Sequence, residues 1–446
     1  MNAMPGIQYY DLRHVTGQVT HIDIDNSVVE SAGTSFFNKA VIRVLSGTGW
    51  GVLQIDNYVP CTGKKFDAIL DSACRLARIT QENVILADVP HGMLAVPPMK
   101  EDPRDVSIEE KSSLLSGIEI AAQHPLVVNR RANFIEKIEH VRFTDSSENE
   151  HSYEMCRSGF NVLAVASRNG NVQMGYEREH SIHGFNLRHQ ESQGKKAAEI
   201  AVALLDAGAA KSGKMRAVLD PELAGVFAHE AVGHASEGDL VIEGNSVLKG
   251  KNGLKIGNEN LTIIDDPGIF EFGFDPVDAE GVAVCRTEII KKGVINAFLH
   301  NRETLSSVGD GVAGHARAMP GEPPLVRMSN TFIEAGDATD HEIFEECRNG
   351  IFLKGSRGGQ VDPGRGIFQF NAEYGYLIEN GECTTMVRDV SLTGEILMTL
   401  HGITLCGNKR IMSPGYCGKG GQSVPVSDGA PHILLTDAVV GGSGVD

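Results

Sequence analysis

The residues best suited to chemistry lie in one short segment, His229-Glu230-Ala231-Val232-Gly233-His234. Neutral imidazole is a good zinc ligand, and a glutamate beside a metal-bound water is the general base that a zinc hydrolase needs. The pattern H-E-x-x-x-H therefore predicts a metal centre for hydrolysis. The alternative is a helix with two surface or hydrogen-bonded histidines, because short patterns arise by chance and the chain has 16 histidines.

The spacing of the two histidines constrains the helix that carries them. A separation of four residues brings two side chains onto one face of an α-helix, whereas a separation of five leaves them roughly 140° apart. One ion could bind both His229 and His234 only if the helix bulges or ends between them. Gly233 lies where that must happen, and glycine tolerates unusual backbone angles. The sequence therefore predicts a helix that is distorted at its own metal site.

The elements that must position this segment fall into two parts. Residues 1–213 have the patterns of a mixed α and β domain, and the small, flexible stretch 207–215 marks its end. The elements predicted there are helices over 67–77 and 194–207, a helix behind the capping box Ser107–Glu110, and strands over 138–143, 159–166 and 171–176. Gly208 is predicted to end the helix over 194–207.

Residues 214–446 read as a β-rich domain that contains one metal-binding helix. Asp220-Pro221-Glu222 has the chemistry of a helix start, since aspartate caps, proline suits the first turn and glutamate complements the dipole. The strands predicted after it cover 261–265, a hairpin of 282–290 with 294–300, and a hairpin of 374–379 with 382–387 around Asn380-Gly381. The predicted class is α+β, with a predominantly antiparallel second domain.

Composition limits the classes of function. The chain has 446 residues, 41% of them hydrophobic and 22% charged, which is typical of a soluble globular protein of two or three domains. The formal net charge of −18 argues against direct nucleic-acid binding. Without a visible signal peptide or an apolar run long enough for a membrane span, a cytoplasmic location is predicted. The eight dispersed cysteines should be reduced there, and one of them could be a metal ligand.

Several segments resemble the TldD/PmbA family of zinc metallopeptidases, and its TldD branch in particular. The similarity surrounds the histidine motif and continues along the chain to its end. The segments that carry it are Asp105–Leu115, Gly225–Asp239, Gly358–Asp362, Ala372–Gly381, Cys417–Val426 and Val440–Gly442. Because independent matches must coincide in order, they strengthen the interpretation of the motif as a metal site.

The resemblance implies a catalytic chain with one Zn²⁺ held by His229, His234 and Cys417. Members of the family form dimers, often of a TldD-like with a PmbA-like subunit that lacks the H-E-x-x-x-H. They degrade short or unfolded peptides inside an enclosed cavity. We therefore expect a homodimer or such a heterodimer, with peptide substrates and neither direct nucleic-acid nor membrane binding.

Roles follow for the residues around the metal, each with a simpler alternative. Glu230 is expected to take a proton from the zinc-bound water and pass it to the leaving amine, the alternative being a surface carboxylate. Cys417 could instead be a structural thiol in a glycine-rich turn. Glu237 and Asp239 could hold a ligand histidine in the correct tautomer, or serve a cap or turn.

Two further residues, His315 and Arg317, could stabilise an oxyanion or bind the substrate carbonyl. The alternative for both is a salt bridge in a loop. At the level of the whole protein, two other functions stay open: a non-catalytic peptide-binding subunit, and a zinc amidohydrolase for a small molecule.

Overall fold

The N-terminal half is built on one long antiparallel sheet in the computed structural model, which describes residues 6–80 and 83–443. Its six strands are arranged in the order β3-β2-β1-β4-β5-β6. The elements of this half, in chain order, are β1 (Tyr9–Asp25), β2 (Val28–Ser46), β3 (Gly49–Asp56), α1 (Lys64–Ala77), a 3₁₀ turn (Pro103–Asp105), α2 (Ile108–Ala121), β4 (Val127–Asp145), β5 (Glu150–Arg168), β6 (Asn171–Ser181) and α3 (Glu191–Leu204).

Helices α2 and α3 bury one face of this sheet. Leu115 and Ile118 of α2 and Ala197 of α3 pack against Phe134 and Phe160, and all five side chains are buried in one cluster. One of the two bonds of the predicted capping box of α2 is present, since the Ser107 hydroxyl accepts a hydrogen bond from the Glu110 backbone N–H at 3.2 Å. Helix α1 packs separately, on β2 and β3.

The sequence patterns located these elements but not their extent. The predicted strands over 138–143, 159–166 and 171–176 are pieces of β4, β5 and β6, which run for 19, 19 and 11 residues. Helix α3 ends at Leu204, so the prediction that Gly208 stops it was wrong. Gly208 instead pairs in parallel with Val387, and this strand pairing takes the backbone away from the helix.

The C-terminal half contains two main sheets around the largest apolar core. Its helical elements are α4 (Pro221–Phe227), a π-helical segment (Ala228–Gly233), a 3₁₀ turn (His234–Ser236), α5 (Gly238–Glu243), α6 (Arg302–Val308), α7 (Asp340–Cys347) and α8 (Ile396–Gly402). Its strands are β7 (Gly208–Ala209), β8 (Gly213–Leu219), β9 (Ile263–Asp265), β10 (Thr287–Lys291), β11 (Val294–Ile295), β12 (Phe298–His300), β13 (Gly311–Ala313), β14 (Ala316–Arg317), β15 (Leu325–Val326), β16 (Asn330–Ile333), β17 (Asn349–Lys354), β18 (Gly359–Asp362), β19 (Ile367–Asn371), β20 (Tyr374–Glu379), β21 (Glu382–Arg388), β22 (Val390–Glu395), β23 (Ile403–Cys406), β24 (Ile411–Lys419), β25 (Gln422–Ala430) and β26 (Ile433–Gly442).

The smaller of the two sheets has the order β11-β10-β9-β16-β25-β24 and carries the site described below. The larger is arranged as β18-β19-β22-β26-β8-β17-β20-β21-β7, with β23 paired to β26. These strands confirm the α+β class with a mostly β second half. Among the helices in the described ranges, none has the length and apolarity that crossing a bilayer requires.

The two hairpins predicted in this half have different outcomes. The Asn380-Gly381 hairpin is confirmed, with strands β20 and β21 and positive φ angles of 54° and 84° at its turn residues. The earlier hairpin is shorter than predicted. Only Ile290 and Lys291 pair with Ile295 and Val294, and residues 282–286 form no strand.

Helix α4 begins as predicted and then changes geometry at the histidine motif. Asp220 caps it by accepting from the Leu223 N–H at 2.9 Å, and a Cβ at Gly225 would lie 2.6 Å from the Gly429 backbone N. From Ala228 to Gly233 the turns widen to a π-helix, and the His234 N–H bonds to the His229 carbonyl oxygen. This i to i+5 bond confirms the predicted distortion.

The reason for glycine at position 233 differs from the prediction. Gly233 has φ −55° and ψ −59°, ordinary right-handed helical angles, so its backbone freedom is not used. A Cβ there would lie 2.9 Å from Cγ of Met328, a fully buried side chain. Gly233 therefore permits close packing of the bulge on the sheet.

A buried ion cluster joins the two halves of the molecule. Arg43 of β2 donates to both carboxylate oxygens of Asp11 on β1, and its Nη1 lies 3.0 Å from Oε1 of Glu280 in the C-terminal half. The three side chains are at most 7% exposed. Each carboxylate depends on this guanidinium for compensation of its buried charge.

Replacement of Arg43 by methionine is expected to lower the free energy of unfolding by about 3–5 kcal/mol, because two buried carboxylates lose their cation. Urea denaturation of the full chain measures this. The matched control is Arg75→Met, which removes an exposed i,i+4 partner of Asp71 and should cost under about 0.5 kcal/mol. Equal losses in the two variants would contradict the assigned role.

The substitution Gly233→Ala is expected to cost about 1–3 kcal/mol, since the added methyl group overpacks the contact with Met328. The cost should shrink in a Met328→Ala background, which makes room for it. Gly117→Ala in α2 is the control, because a Cβ there meets nothing within 4 Å. It should be neutral or stabilise by up to about 1 kcal/mol. If the Gly233→Ala variant were as stable as the wild type, the packing explanation would be refuted.

Candidate metal centre

Three side chains from two distant parts of the chain meet at the π-helical segment. One nitrogen each of His229 and His234 and the Sγ of Cys417 lie within 4.8 Å of one another. The two imidazole rings are nearly perpendicular, at 87°, with their centroids 5.5 Å apart. Cys417 belongs to β24, so the cluster forms only where the small sheet packs against the helix.

His229 is the innermost of the three. Its side chain is buried, and neither ring nitrogen has a hydrogen-bond partner outside the cluster among the residues the structure describes. Burial lowers its pKa, but the charge of Cys417, the contact with its sulfur and the charge of Glu230 outweigh that effect and raise the pKa to about 9. A buried imidazole without partners is costly unless another ligand satisfies it. A metal ion would satisfy it.

His234 is oriented by a buried carboxylate. Its Nδ1 lies 3.0 Å from Oε2 of Glu237, which leaves Nε2 to face Cys417 Sγ at 3.4 Å. Burial raises the pKa of Glu237, but the neighbouring His234 and Lys419 outweigh it and lower that pKa. An ionised Glu237 accepts the Nδ1–H and so directs Nε2 toward the cluster.

Lys419 extends this support and was missed in the sequence analysis. Its Nζ lies 3.1 Å from Oε2 of Glu237 and 2.7 Å from Oδ2 of Asp239, and it donates to the Val326 carbonyl oxygen at 3.0 Å. Positions 417 and 419 share one face of a β-strand, which is the signal that could have found it. Asp239 therefore acts on the cluster through Lys419 rather than by direct contact with a histidine.

Cys417 is held at its backbone and activated at its sulfur. Its carbonyl oxygen accepts from Nη2 of Arg327 at 2.5 Å, and Arg327 is fully buried. Burial raises the pKa of the thiol, but the two neighbouring histidines outweigh it and lower the pKa to about 4. The thiolate, which is the form that binds metals, is therefore favoured.

Glu230 lies on the accessible side of the cluster. Its side chain is 36% exposed, and Oε2 lies 3.8 Å from Nε2 of His234. A carboxylate at this position reaches both the cluster and solvent, as a group that exchanges protons with a substrate must.

The donor set fits zinc. Two imidazoles and a thiolate are common zinc ligands, and nitrogen and sulfur at Zn distances of about 2.0 and 2.3 Å lie roughly 3.5 Å apart in a tetrahedron. The Sγ–Nε2 separation of 3.4 Å is close to that value. With three protein ligands, a fourth position would be open for water or substrate, as in catalytic rather than structural zinc sites.

His315 and Arg317, the other two candidates from the sequence, have buried partners of their own. Nδ1 of His315 lies 3.3 Å from the Asp265 carboxylate, and Nε of Arg317 lies 2.7 Å from Asp275. Both side chains are at most 5% exposed. These contacts favour the salt-bridge alternative over a role at the substrate carbonyl.

Family models match this chain in three consecutive segments. They are the PmbA/TldA metallopeptidase domain 1 over residues 10–79, the central domain over 101–205 and the C-terminal domain over 212–442. His229, His234 and Cys417 all lie within the third segment.

Individual relatives extend the similarity over the full length. A metalloprotease of Archaeoglobus fulgidus is 38% identical over 441 residues, which cover 98% of this chain and 100% of that protein. A zinc metalloprotease TldD homolog of Saccharolobus solfataricus is 29% identical over 90% of this chain and 89% of its own. TldE from Thermococcus kodakarensis shares the fold, with a TM-score of 0.79 at 17% identity over 98% and 97% of the two chains. On this evidence, the chain belongs to the TldD/PmbA metallopeptidase family.

Proposed function

We propose that this protein is a zinc-dependent peptidase that cleaves short or unfolded peptides. The observation that carries the proposal is the buried cluster of His229, His234 and Cys417, in which the imidazole of His229 has no other partner among described residues. The half-exposed carboxylate of Glu230 beside this cluster supplies the second group that peptide hydrolysis needs.

The ligands would be one nitrogen of His229, Nε2 of His234 and Sγ of Cys417, with one ion per chain. Bound Zn²⁺ would supply Lewis-acid polarisation of the scissile carbonyl and a more acidic water. Glu237 holds the tautomer and the angle of the His234 ring, and Lys419 holds Glu237 in turn. Arg327 anchors the Cys417 backbone, so each half of the ligand set has its own support.

Glu230 is proposed as the general base. Its carboxylate accepts a proton from the attacking water and returns it to the leaving amine nitrogen, which would otherwise depart as an amide anion. The 3.8 Å separation from His234 places the carboxylate next to the ligand cluster without bonding it tightly.

An extended peptide has a suitable place to bind. Strand β24, which carries Cys417, lies at the end of its sheet and pairs with β25 alone among the described strands. Its Pro414 and Cys417 carbonyl oxygens already accept from Arg178 and Arg327, so a peptide would use the other main-chain groups of this edge. Main-chain hydrogen bonds to such an edge recognise any extended segment with little regard for its sequence. A folded protein does not present a free extended segment, so unfolded and short peptides would be the preferred substrates.

The assembly and location stay predictions. We propose a dimer, either of two copies or with a PmbA-like subunit that lacks the H-E-x-x-x-H, which encloses the site in a cavity. We propose that it works in the cytoplasm and binds neither nucleic acid nor membranes directly. The net charge of −18 supports the exclusion of nucleic acid.

Zinc content tests the ligand set. Purified wild type should contain about one zinc per chain by mass spectrometry of the metal, and Cys417→Ala should lose most of it, because a third ligand is removed. Cys406→Ala is the matched control, since that cysteine is equally buried in the same half but lies outside the cluster. Zinc retained in Cys417→Ala would show that the third ligand is misassigned.

Glu230→Gln tests the base. The variant should keep its zinc and its affinity for peptide but lose about 10²–10⁴-fold in the rate of cleavage of a disordered polypeptide. Glu243→Gln, at an exposed carboxylate on nearby α5, should leave the rate unchanged. An undiminished rate in Glu230→Gln would remove this residue from the mechanism.

The same assay separates the alternatives. Cleavage of a disordered polypeptide at several bonds supports a peptidase over a zinc amidohydrolase for a small molecule. Peptide binding without cleavage in the zinc-loaded wild type would instead support a non-catalytic binding subunit.

A further inference from the structure

A cavity of about 250 Å³ lies between the N-terminal sheet and the strand that carries Cys417. Its walls come from β6 and α3 of the first half and from α4, β17, β20 and β24 of the second. Arg178 of β6 reaches the β24 edge here, since its Nε donates to the Pro414 carbonyl oxygen at 3.0 Å. A cavity of this size suits one side chain rather than a larger ligand, for which pockets of about 300–1,000 Å³ are usual.

Two elements give the same distance from this cavity to the cluster of His229, His234 and Cys417. Pro414 of the cavity wall precedes Cys417 by three residues on β24, which is roughly 10 Å along a strand. Glu222 of the wall precedes His229 by seven residues, which is about 10 Å along a helix. A peptide on the β24 edge with its scissile bond at the cluster would therefore reach the cavity with a residue about three positions away.

Negative charge predominates in the wall of the cavity. Five carboxyl side chains and three cations line it. Arg178 pairs with Glu222 at 2.6 Å, and Lys196 pairs with Glu177 at 2.9 Å. The Asp220 carboxylate accepts from the backbone N–H groups of two other residues. These contacts satisfy three of the five carboxyl groups.

Glu373 is a carboxyl group of this wall that has no such partner. None of the residues that the structure describes donates a hydrogen bond to its side chain or forms an ion pair with it. Burial and the charges of Glu222 and Glu177 raise its pKa to about 8, although nearby arginines act in the opposite direction. A cation beside this carboxyl group would offset the repulsion between like charges.

Asp428 extends the negative charge from the cavity toward the cluster. It lies on β25 directly opposite Ser413 of the cavity wall, and Cys417 lies on the same face of β24, four residues farther along. Asp428 is only 8% exposed, and within the described ranges no other residue donates to its carboxylate or pairs with it. The ionisable groups that face it include His229 and Arg178. A buried carboxylate without a partner is costly, so this residue is a second indication of a cationic ligand.

We propose that the cavity is a subsite for a cationic group of the peptide substrate, held by Glu373 and Asp428. The group is the side chain of lysine or arginine, or the free α-amino group of a peptide that begins there. The inference rests on the proposed peptidase function, because the peptide reaches the cavity along β24. It adds a preference for charge to main-chain binding that is otherwise indifferent to sequence.

Peptide binding to the zinc-loaded Glu230→Gln variant tests the proposal without turnover. The probes are octapeptides of alanine and threonine, acetylated at the N-terminus and labelled with a fluorophore at the C-terminus. One lysine is moved from position to position, and a second set has uncharged norleucine in its place. By fluorescence anisotropy, lysine at its best position should bind about ten-fold more tightly than norleucine, since it forms charge-assisted hydrogen bonds.

The norleucine peptides with a free N-terminus distinguish the two sources of the charge. Tighter binding of the free α-amine shows that the cavity takes a chain end, and tighter binding of the acetylated lysine peptides shows that it takes a side chain. Either result supports the cationic subsite. Equal affinity across all sets, or no binding by any peptide, would overturn the proposal.

Variants in the Glu230→Gln background locate the preference. Glu373→Gln and Asp428→Asn should each lower the ratio of lysine to norleucine affinity to about two-fold or less, because a charged partner is lost. Glu379→Gln is the matched control, since this exposed glutamate at the other end of β20 lies outside the cavity, and the ratio should stay the same. Circular dichroism and zinc content show whether each variant is folded. A full preference in folded Glu373→Gln would refute the assignment.

Cleavage of the same peptides by the wild type separates this inference from the peptidase function. Faster cleavage of the lysine set, about three residues from the lysine, supports both. Equal kcat/KM for the lysine and norleucine sets keeps the peptidase and overturns the subsite. Lysine-dependent binding without cleavage of any peptide keeps the subsite and removes the peptidase function.

Discussion

The backbone hydrogen bond from His234 N–H to the His229 carbonyl oxygen is the constraint on which the cluster of His229, His234 and Cys417 depends. It widens one turn of the helix so that residues five apart face the same way, which a regular α-helix does not allow. Such a bulge gives up regular helical bonds. Burial of Ala231 and Val232, and the close approaches of Gly225 to Gly429 and of Gly233 to Met328, offset that loss.

Charged groups around the bulge serve orientation more than stability. Buried ion pairs contribute little net free energy, because the desolvation of each charge cancels much of the attraction. Glu237 and Lys419 instead fix the direction of one histidine and connect the helix to β24, the strand of the cysteine. Arg327 does the same for the Cys417 backbone. The cluster is therefore the meeting point of two elements that are each separately anchored.

Buried ion pairs also connect the two halves of the chain. Arginines of the N-terminal sheet hold carboxylates of one C-terminal segment: Arg157 binds Asp275, and Arg43 binds Glu280. Arg317, at first a candidate for substrate binding, shares Asp275 with Arg157.

The sequence by itself determined the features that depend only on residues close together in the chain. The spacing of the H-E-x-x-x-H pattern predicted a distorted helix, and Asp220 predicted where that helix begins. Asn380-Gly381 predicted a hairpin. Each of these features depends on backbone geometry within a few residues. Resemblance to a family was needed to add Cys417, which lies 183 residues from His234. Among the patterns that failed, Gly208 looks like a helix stop but pairs in a strand.

Tertiary structure alone decided the partners of the buried polar groups. Strand alternation places Lys419 on the face of Cys417, but no pattern predicts that it reaches Glu237 and Asp239. Nor does any pattern predict that Met328 requires glycine at 233 or that Asp265 sits beside His315. Each of these contacts joins residues remote in sequence, and its strength comes from exclusion of water, which exists only once the sheets have packed. Residue types and their spacing predict which chemistry is present, whereas burial in the folded chain decides which groups are charged, how they are oriented and which are accessible to solvent.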